Sequence, residues 1–540
     1  MRRLPLAFIL PTLGLILLSS YPWIEGSSTL YYRDFLSSHL PLKAAQAQLM
    51  SDGHWLPLLD PYRSGGMPML GNPNALPLYP TTLLFAVASP VWALNAHIWL
   101  HWLLAPFAFA WLGRAWGLSP RAAWAGAAIY ATSGYFLSLF NLYNLVAGAA
   151  LAPAFVAACI EGARGAPRRW PAAGALWALL LLSGDPMTAA LAAALGLSAA
   201  ALHAGGGERR RRTAALGALA LGAGTVLAAP QWVEMLRILP DSFRGHWRYE
   251  VRAALAQSFD PRSVVDWILP FFTGRLDYSF WGQGFFGGNP PLLPSLYPGT
   301  LAAILALMAG RPRRGSALLL WSWGFMTIGF FVATGYHNPL MWHLIELPGA
   351  SALRYPIKVW LLVALTGSLL AARGFERALE SEGRRLARWL GGIAALYGAL
   401  WLALLRLPEP FANLLRSLEP QRLQGAFFDA ERLRWTTVCF FVLLTALGLW
   451  GAALLLRRRP GLAAPLLVGL HALSQIFLLA PLVDSDESAP YSKPPELLAH
   501  LPADSRIAHG FSGALFGPLS SRYAEKLPDS RFFWLTRETF

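Results

Sequence analysis

Long apolar runs, each about one bilayer thick and separated by short arginine clusters, recur along nearly the whole chain. A run of roughly twenty apolar residues is long enough to cross a membrane as a helix. Inside the bilayer every backbone N–H and C=O must be paired within the segment, so helices are the expected form. Only 14% of the 540 residues are charged and 55% are hydrophobic. Soluble domains carry about a quarter charged residues. The expected class is therefore an all-α polytopic membrane protein. Thirteen spans are read, near 4–24, 91–113, 122–140, 143–161, 170–184, 187–204, 213–232, 291–310, 316–335, 356–373, 389–406, 434–456 and 461–482. Residues 1–482 then form one transmembrane domain with three long loops, 25–90, 233–290 and 336–355. Residues 483–540 form a short tail, read as a possible truncated soluble domain.

The arginines fix the sidedness. Arg2 and Arg3, Arg114 and Arg121, Arg164 to Arg169, Arg209 to Arg212, Arg311 to Arg314, Arg373 to Arg388 and Arg457 to Arg459 all fall on one side when the spans are counted through. The three long loops and the tail fall on the other. The positive-inside rule makes the N-terminus cytoplasmic and the loops and tail external. The first span lacks a small-residue cleavage site and is read as uncleaved.

Several function classes drop out. The net charge of +15 sits in these short clusters rather than on a basic face, which argues against nucleic acid. Cys159 and Cys439 both lie within apolar spans, so neither a disulfide framework nor a cysteine metal cluster follows. His97 and His101 are four apart without an evident third ligand. No phosphate-binding glycine loop or dinucleotide fingerprint is present, which argues against a nucleotide-driven pump.

The chemistry-bearing residues gather in the outer loops. The first loop carries Arg33, Asp34, His39, an amphipathic stretch 42–50, Asp60, Asn72 and Tyr79, amid many prolines and glycines. Such backbone at a membrane surface is fixed by turns and survives against protein or around a cavity. Stretch 42–50 reads either as a helix in the interface or as a plain connector. Asp34 reads locally as a partner of Arg33 or a helix cap. Asp185, between Gly184 and Pro186, faces a cavity or caps the next helix. Gln231 and Glu234 close the seventh span, and Arg244 follows in the second loop. Arg354 and Lys358 flank Pro356 at the outer end of the tenth span. A helix starting at Pro356 would aim a guanidinium, an ammonium and a positive dipole end at a phosphate. The alternative is anchoring to lipid headgroups.

Five pieces in order carry a family resemblance. They are Arg33-Asp34; Trp55-Leu56-Pro57 through Gly65-Gly66-Met67-Pro68, Asn72 and Tyr79-Pro80; Ala229-Pro230-Gln231 with Ser242 and Arg244; Tyr297-Pro298-Gly299; and Arg354-Tyr355-Pro356-Ile357-Lys358. The chain resembles the bacterial YfhO-like membrane proteins, a branch of the GT-C superfamily of glycosyltransferases. That resemblance implies a bacterial cytoplasmic-membrane enzyme that takes a sugar from a polyprenyl-phosphate donor at the outer face. The acceptor would be an envelope glycan, a lipid or a protein. It implies Asp34 as catalytic base, inversion at the sugar, and Arg354, Lys358 and Arg244 at the donor phosphate. Arg33, His39, Asp60, Asn72, Tyr79, Asp185, Gln231 and Glu234 would line the cavity. Asp34 lacks the paired acid of a D-x-D or E-x-D pattern, so no divalent metal is called for. Two rival readings are a lipid-sugar transporter and a non-catalytic envelope assembly protein. The transporter would place ionisable residues deep within helices, where few occur.

Overall fold

The structure is a computed structural model that describes residues 5–31, 34–62, 66–241, 251–275, 280–286, 291–311, 316–347, 350, 354–420, 422–456, 458–483 and 485–492. Arg33, Arg244 and the tail beyond 492 lie outside these residues. The chain is an all-α polytopic membrane protein. Its principal helices are α1 (Leu6–Glu25), α2 (Leu40–Ser51), α3 (Pro90–Ala115), α4 (Pro120–Ala131), α5 (Tyr143–Ala163), α6 (Arg169–Leu182), α7 (Pro186–His203) and α8 (Gly207–Ile238). They continue as α9 (Thr300–Met308), α10 (Ala317–Ala333), α11 (Trp360–Arg377), α12 (Gly383–Arg406), α13 (Gly425–Leu455) and α14 (Pro460–Leu478). Among the described residues, seven helical runs are long and apolar enough to cross a membrane, with Pro356–Arg406 taken as one run; Arg169–Leu182 and Ala317–Ala333 are shorter apolar helices.

Local chemistry sets the helix starts. Ser89-Pro90, Ser119-Pro120 and Asp185-Pro186 each put a capping side chain before a proline at the first helical position. The cap oxygen accepts an otherwise orphaned N–H, and the proline needs none. Small residues then let helices meet. A Cβ added at Gly126 would strike Ala372 and Phe109, and one at Gly196 would strike Phe155. Close approach at small residues is how membrane helices gain packing energy without a hydrophobic drive. Helix α5 is buried almost throughout and forms the centre of the bundle.

Three sequence expectations change. The eighth span starts at Thr300 rather than 291, because Pro291, Pro294, Pro298 and Gly299 hold the preceding apolar stretch non-helical. The third span breaks after Ala131, where Ser133 caps a new short helix, Gly134–Ser138. Stretch 42–50 is helical, yet it buries Lys43 and Gln46 against protein, so it does not float on the bilayer surface.

Two short antiparallel ladders order the loops. Strand Ser28–Leu30, just after α1, pairs with Ser485–Glu487, just after α14. Those two segments therefore lie on the same side of the bundle. Leu59–Asp60 pairs with Met67–Pro68 within the first loop.

Candidate functional site

The first outer loop is fastened at several points to α3. The Asn95 side chain accepts from Thr29 Oγ1 at 3.2 Å and from the Leu30 N–H at 3.3 Å, and donates to the Ser28 carbonyl at 3.1 Å. Further on, the Tyr79 hydroxyl lies 2.6 Å from His101 Nε2, and Thr81 Oγ1 lies 2.6 Å from His97 Nδ1. The other His97 nitrogen meets the Tyr143 carbonyl at 2.8 Å, and the two rings stack. These histidines work as struts between loop and helix. Among the described residues, no three His, Cys, Asp or Glu side chains converge to hold a metal.

Lys43 lies fully buried beside this network. Its ammonium donates to Gln46 Oε1 at 2.9 Å, to Thr82 Oγ1 at 3.5 Å and to the Ala75 carbonyl, and it sits 5.0 Å from the ring centres of Phe85 and Tyr143. Burial holds its pKa well below that of an ordinary lysine.

The second cluster joins segments far apart in sequence. Gly184 adopts φ +81°, and a Cβ there would collide with the Pro73 carbonyl oxygen of the first loop. Asp185 follows at once. Its Oδ2 accepts from the Thr188 N–H at 2.9 Å and hydroxyl at 2.6 Å, and its Oδ1 accepts from Lys358 Nζ at 2.7 Å. Burial pushes this carboxyl up, but Lys358 and Thr188 outweigh burial and hold it below the usual carboxylate range. Lys358 is presented by a single 3₁₀ turn, Pro356–Val359, that leads into α11. The preceding Tyr355 has φ +73°, a conformation that costs about 1–3 kcal/mol for a non-glycine residue. Its N–H donates to the Ala254 carbonyl at 3.0 Å, and the Ile357 N–H to the Gln257 carbonyl at 3.2 Å, so the second loop holds the turn. The Arg354 guanidinium lies 4.3 Å over the Tyr355 ring.

A mostly apolar cavity of about 590 Å³ opens between helices, and neither Asp185 nor Lys358 is in its lining. Its walls include Tyr135, Trp267, Tyr297, Phe330, Trp360 and Gly367. Trp360 is two residues beyond Lys358. The arrangement offers an apolar slot between helices, with Lys358 one short turn along the chain from its wall at Trp360.

The structure distributes the sequence-predicted residues unevenly. It brings Asp185 and Lys358 together, and it gathers His39 and Tyr79 around Tyr143 and His97, with the His39 and Tyr143 rings 5.5 Å apart. Asp34 is half-buried and starts the π-helical turn Phe35–His39 that feeds α2. Asp60 is buried; one oxygen accepts from the Tyr62 N–H at 2.9 Å, and Oδ2 has no hydrogen-bond partner among the described residues. Asn72 closes a turn onto the Asn74 N–H at 2.9 Å. Gln231 points back at the last turn of α6 and donates to the Leu182 carbonyl at 3.3 Å. Glu234 pairs with Arg237 at 3.4 Å on the surface, while its backbone packs so close to Gly71 that a Cβ there would clash with it. Sequence reasoning missed Lys43, Thr188 and Tyr135. A signal for Lys43 existed: the chain has only four lysines among 44 basic residues, and Lys43 and Lys358 are the two outside the tail.

A bundle of apolar helices with a loop-held ion pair at one end and an apolar interhelical cavity defines a polytopic membrane protein. No family model matches the chain, and no curated protein does. Two solved structures share its fold. ArnT from Cupriavidus metallidurans bound to undecaprenyl phosphate superposes with TM-score 0.52 at 15% identity, over 88% of this chain and 77% of that one. The same protein in its apo state gives TM-score 0.50 at 15% identity, over 89% and 78%. At this identity the likeness is one of fold.

Proposed function

We propose that this chain is a membrane glycosyltransferase that moves a sugar from a polyprenyl-phosphate donor to an envelope acceptor at the outer face of the bacterial cytoplasmic membrane. The observation that carries this reading is an apolar cavity walled by Trp360, two residues along the chain from the Lys358 that closes on Asp185. An isoprenoid tail suits its apolar walls, and a phosphate suits a buried ammonium with a guanidinium four residues away. The fold shared with ArnT, a GT-C glycosyltransferase crystallised with undecaprenyl phosphate, supports the same reading. The finer YfhO-like assignment rests on the five sequence pieces alone.

In this mechanism the donor phosphate draws Lys358 from Asp185 and meets Arg354, with Arg244 as a further candidate. Asp34 accepts the proton of the acceptor hydroxyl. The acceptor oxygen bonds to the anomeric carbon from the face opposite the phosphate, and the sugar–phosphate bond breaks with its electron pair leaving on phosphate. The configuration inverts. A monophosphate leaves with its charge already in place, so fixed cations can stabilise it. Orientation follows the arginine clusters, with the N-terminus cytoplasmic.

The test uses purified protein in lipid with a panel of polyprenyl-phosphate sugars and envelope extract as acceptor. Release of free polyprenyl phosphate by wild type, reduced about 10²–10⁴-fold in Asp34→Asn, is the expected result. Donor binding without release from any donor would instead point to a transporter or an assembly protein.

A further inference from the structure

At the end of the bundle opposite the outer loops, several of the described basic residues are already engaged. Arg114, Arg164, Arg209 and Arg377 donate to the carbonyls of Leu118, Ala115, Arg164 and Met308, closing helix ends. Arg373 pairs with Glu376, and Glu382 is held by Arg377 and Arg385. Arg384 and Arg388 are among the rest, with Arg121, Arg168, Arg210 to Arg212, Arg311, Arg458 and Arg459. Arg384 and Arg388 are both exposed, and among the described residues neither forms an ion pair or a hydrogen bond.

These two guanidiniums are one turn apart on α12 and line a cleft of about 600 Å³ with Ala387, Gly391, Trp450 and Leu454. Helix α13 runs antiparallel alongside, since Gly383 faces Leu456 and Gly391 faces Trp450. Gly391 makes the cleft possible: a Cβ there would come within 3.0 Å of the Trp450 indole nitrogen. Trp450 and Leu454, one turn apart, present half-exposed apolar surface below the cations. Arg458 and Arg459 follow at the end of α13 and add positive field.

We propose that this cleft is a binding site for an anionic phospholipid of the leaflet at this end. The phosphodiester would bridge Arg384 and Arg388, which can offer paired N–H donors. One acyl chain would lie along Trp450 and Leu454, with the indole at headgroup level. Basic clefts between membrane helices on the cytoplasmic side recognise acidic headgroups by this combination. The site is separate from the outer-face chemistry, and its failure would leave that chemistry untouched.

Native mass spectrometry of the full chain, delipidated and then exposed to phosphatidylglycerol or phosphatidylcholine, reads the site directly. Wild type is expected to retain phosphatidylglycerol in preference to phosphatidylcholine. Arg384→Gln/Arg388→Gln should lose that preference by about tenfold or more, while Arg210→Gln/Arg211→Gln keeps it. Arg384→Lys/Arg388→Lys, which preserves charge, guards against a folding defect and should retain part of the preference. Equal retention by the Gln pair would overturn the proposal. So would equal loss in the Arg210/Arg211 variant, which would mean diffuse surface charge. Displacement of the lipid by millimolar inorganic phosphate alone would mark a free-anion site and overturn the lipid assignment.

Discussion

Two ion pairs, one at each end of the bundle, close at the same distance. Lys358 and Asp185 meet at 2.7 Å among the outer loops, with side chains 13% and 4% exposed. Arg169 and Glu161 meet at 2.7 Å at the other end, with side chains 48% and 26% exposed. Their energetics differ because of water. An exposed pair gains little, typically 0–1 kcal/mol, because solvent screens it and both side chains lose rotamer freedom. A buried pair pays desolvation on both charges, and replacing it with apolar residues is often neutral or favourable. Geometry alone therefore says nothing about worth. The exposed pair needs no purpose beyond local order. The buried pair is an expensive way to hold two segments 173 residues apart, and a phosphate-binding role gives the lysine a second reason to be there.

The largest predicted effect follows from breaking the buried pair. Asp185→Ala removes the counter-charge of Lys358 and the cap of α7 together. It should cost about 3–5 kcal/mol of stability, read as a large drop in the melting temperature of protein in lipid. The double variant Asp185→Leu/Lys358→Met removes both charges and should recover most of that loss. If the double variant melts as low as Asp185→Ala, the cost lies in lost capping and packing rather than in a stranded charge. Donor phosphate binding should be lost in the double variant, which lacks Lys358, and kept by the folded fraction of Asp185→Ala, which retains it; that separates stability from function.

How much of this was legible in the sequence depended on the range of the interaction. Each of the seven helical runs long and apolar enough to cross a membrane lies over a predicted span, Pro356–Arg406 over two, because apolar length is a local signal. The start of α9 was misplaced because Leu292, Leu293 and Leu296 are as apolar in an extended chain as in a helix, and hydropathy does not tell the two apart. Asp185 and Lys358 were each singled out, yet nothing local could pair them. The burial of Lys43 was also hidden, since it depends on Ala75, Thr82 and Tyr143 folding over α2. The scarcity of lysine was the one available hint.

A second, smaller test sharpens the comparison with an acid that forms no ion pair among the described residues, although Arg434 lies near enough to act on its charge. Asp266, in the second outer loop, accepts from the Phe272 N–H at 2.8 Å, and burial pushes its pKa up to about 7. Its folded pKa exceeds the ordinary value, so its contribution to stability is full in acid and is lost as pH rises through about 7. Wild type should therefore gain stability relative to Asp266→Asn as pH falls from 8 toward 5, with a slope of at most about 1.4 kcal/mol per pH unit. Parallel melting curves across that range would mean that the carboxyl stays charged and water reaches it.

The smallest effect belongs to the exposed pair and completes the contrast. Arg169→Gln breaks the bond to Glu161 but leaves that carboxylate in water, so no buried charge is stranded. The guanidinium also lies 5.2 Å from the Trp111 ring centre, a contact that a glutamine stem replaces only in part. The two losses together should stay within about 1 kcal/mol, and the ion-pair share should fade as salt is raised. Melting temperatures of Arg169→Gln and Asp185→Ala, measured side by side at low and high salt, read the difference directly. Equal and equally salt-sensitive losses would mean that water reaches Asp185 as freely as Glu161. The Lys358–Asp185 pair would then be an ordinary surface contact, and the desolvated phosphate site built on it would have to be abandoned.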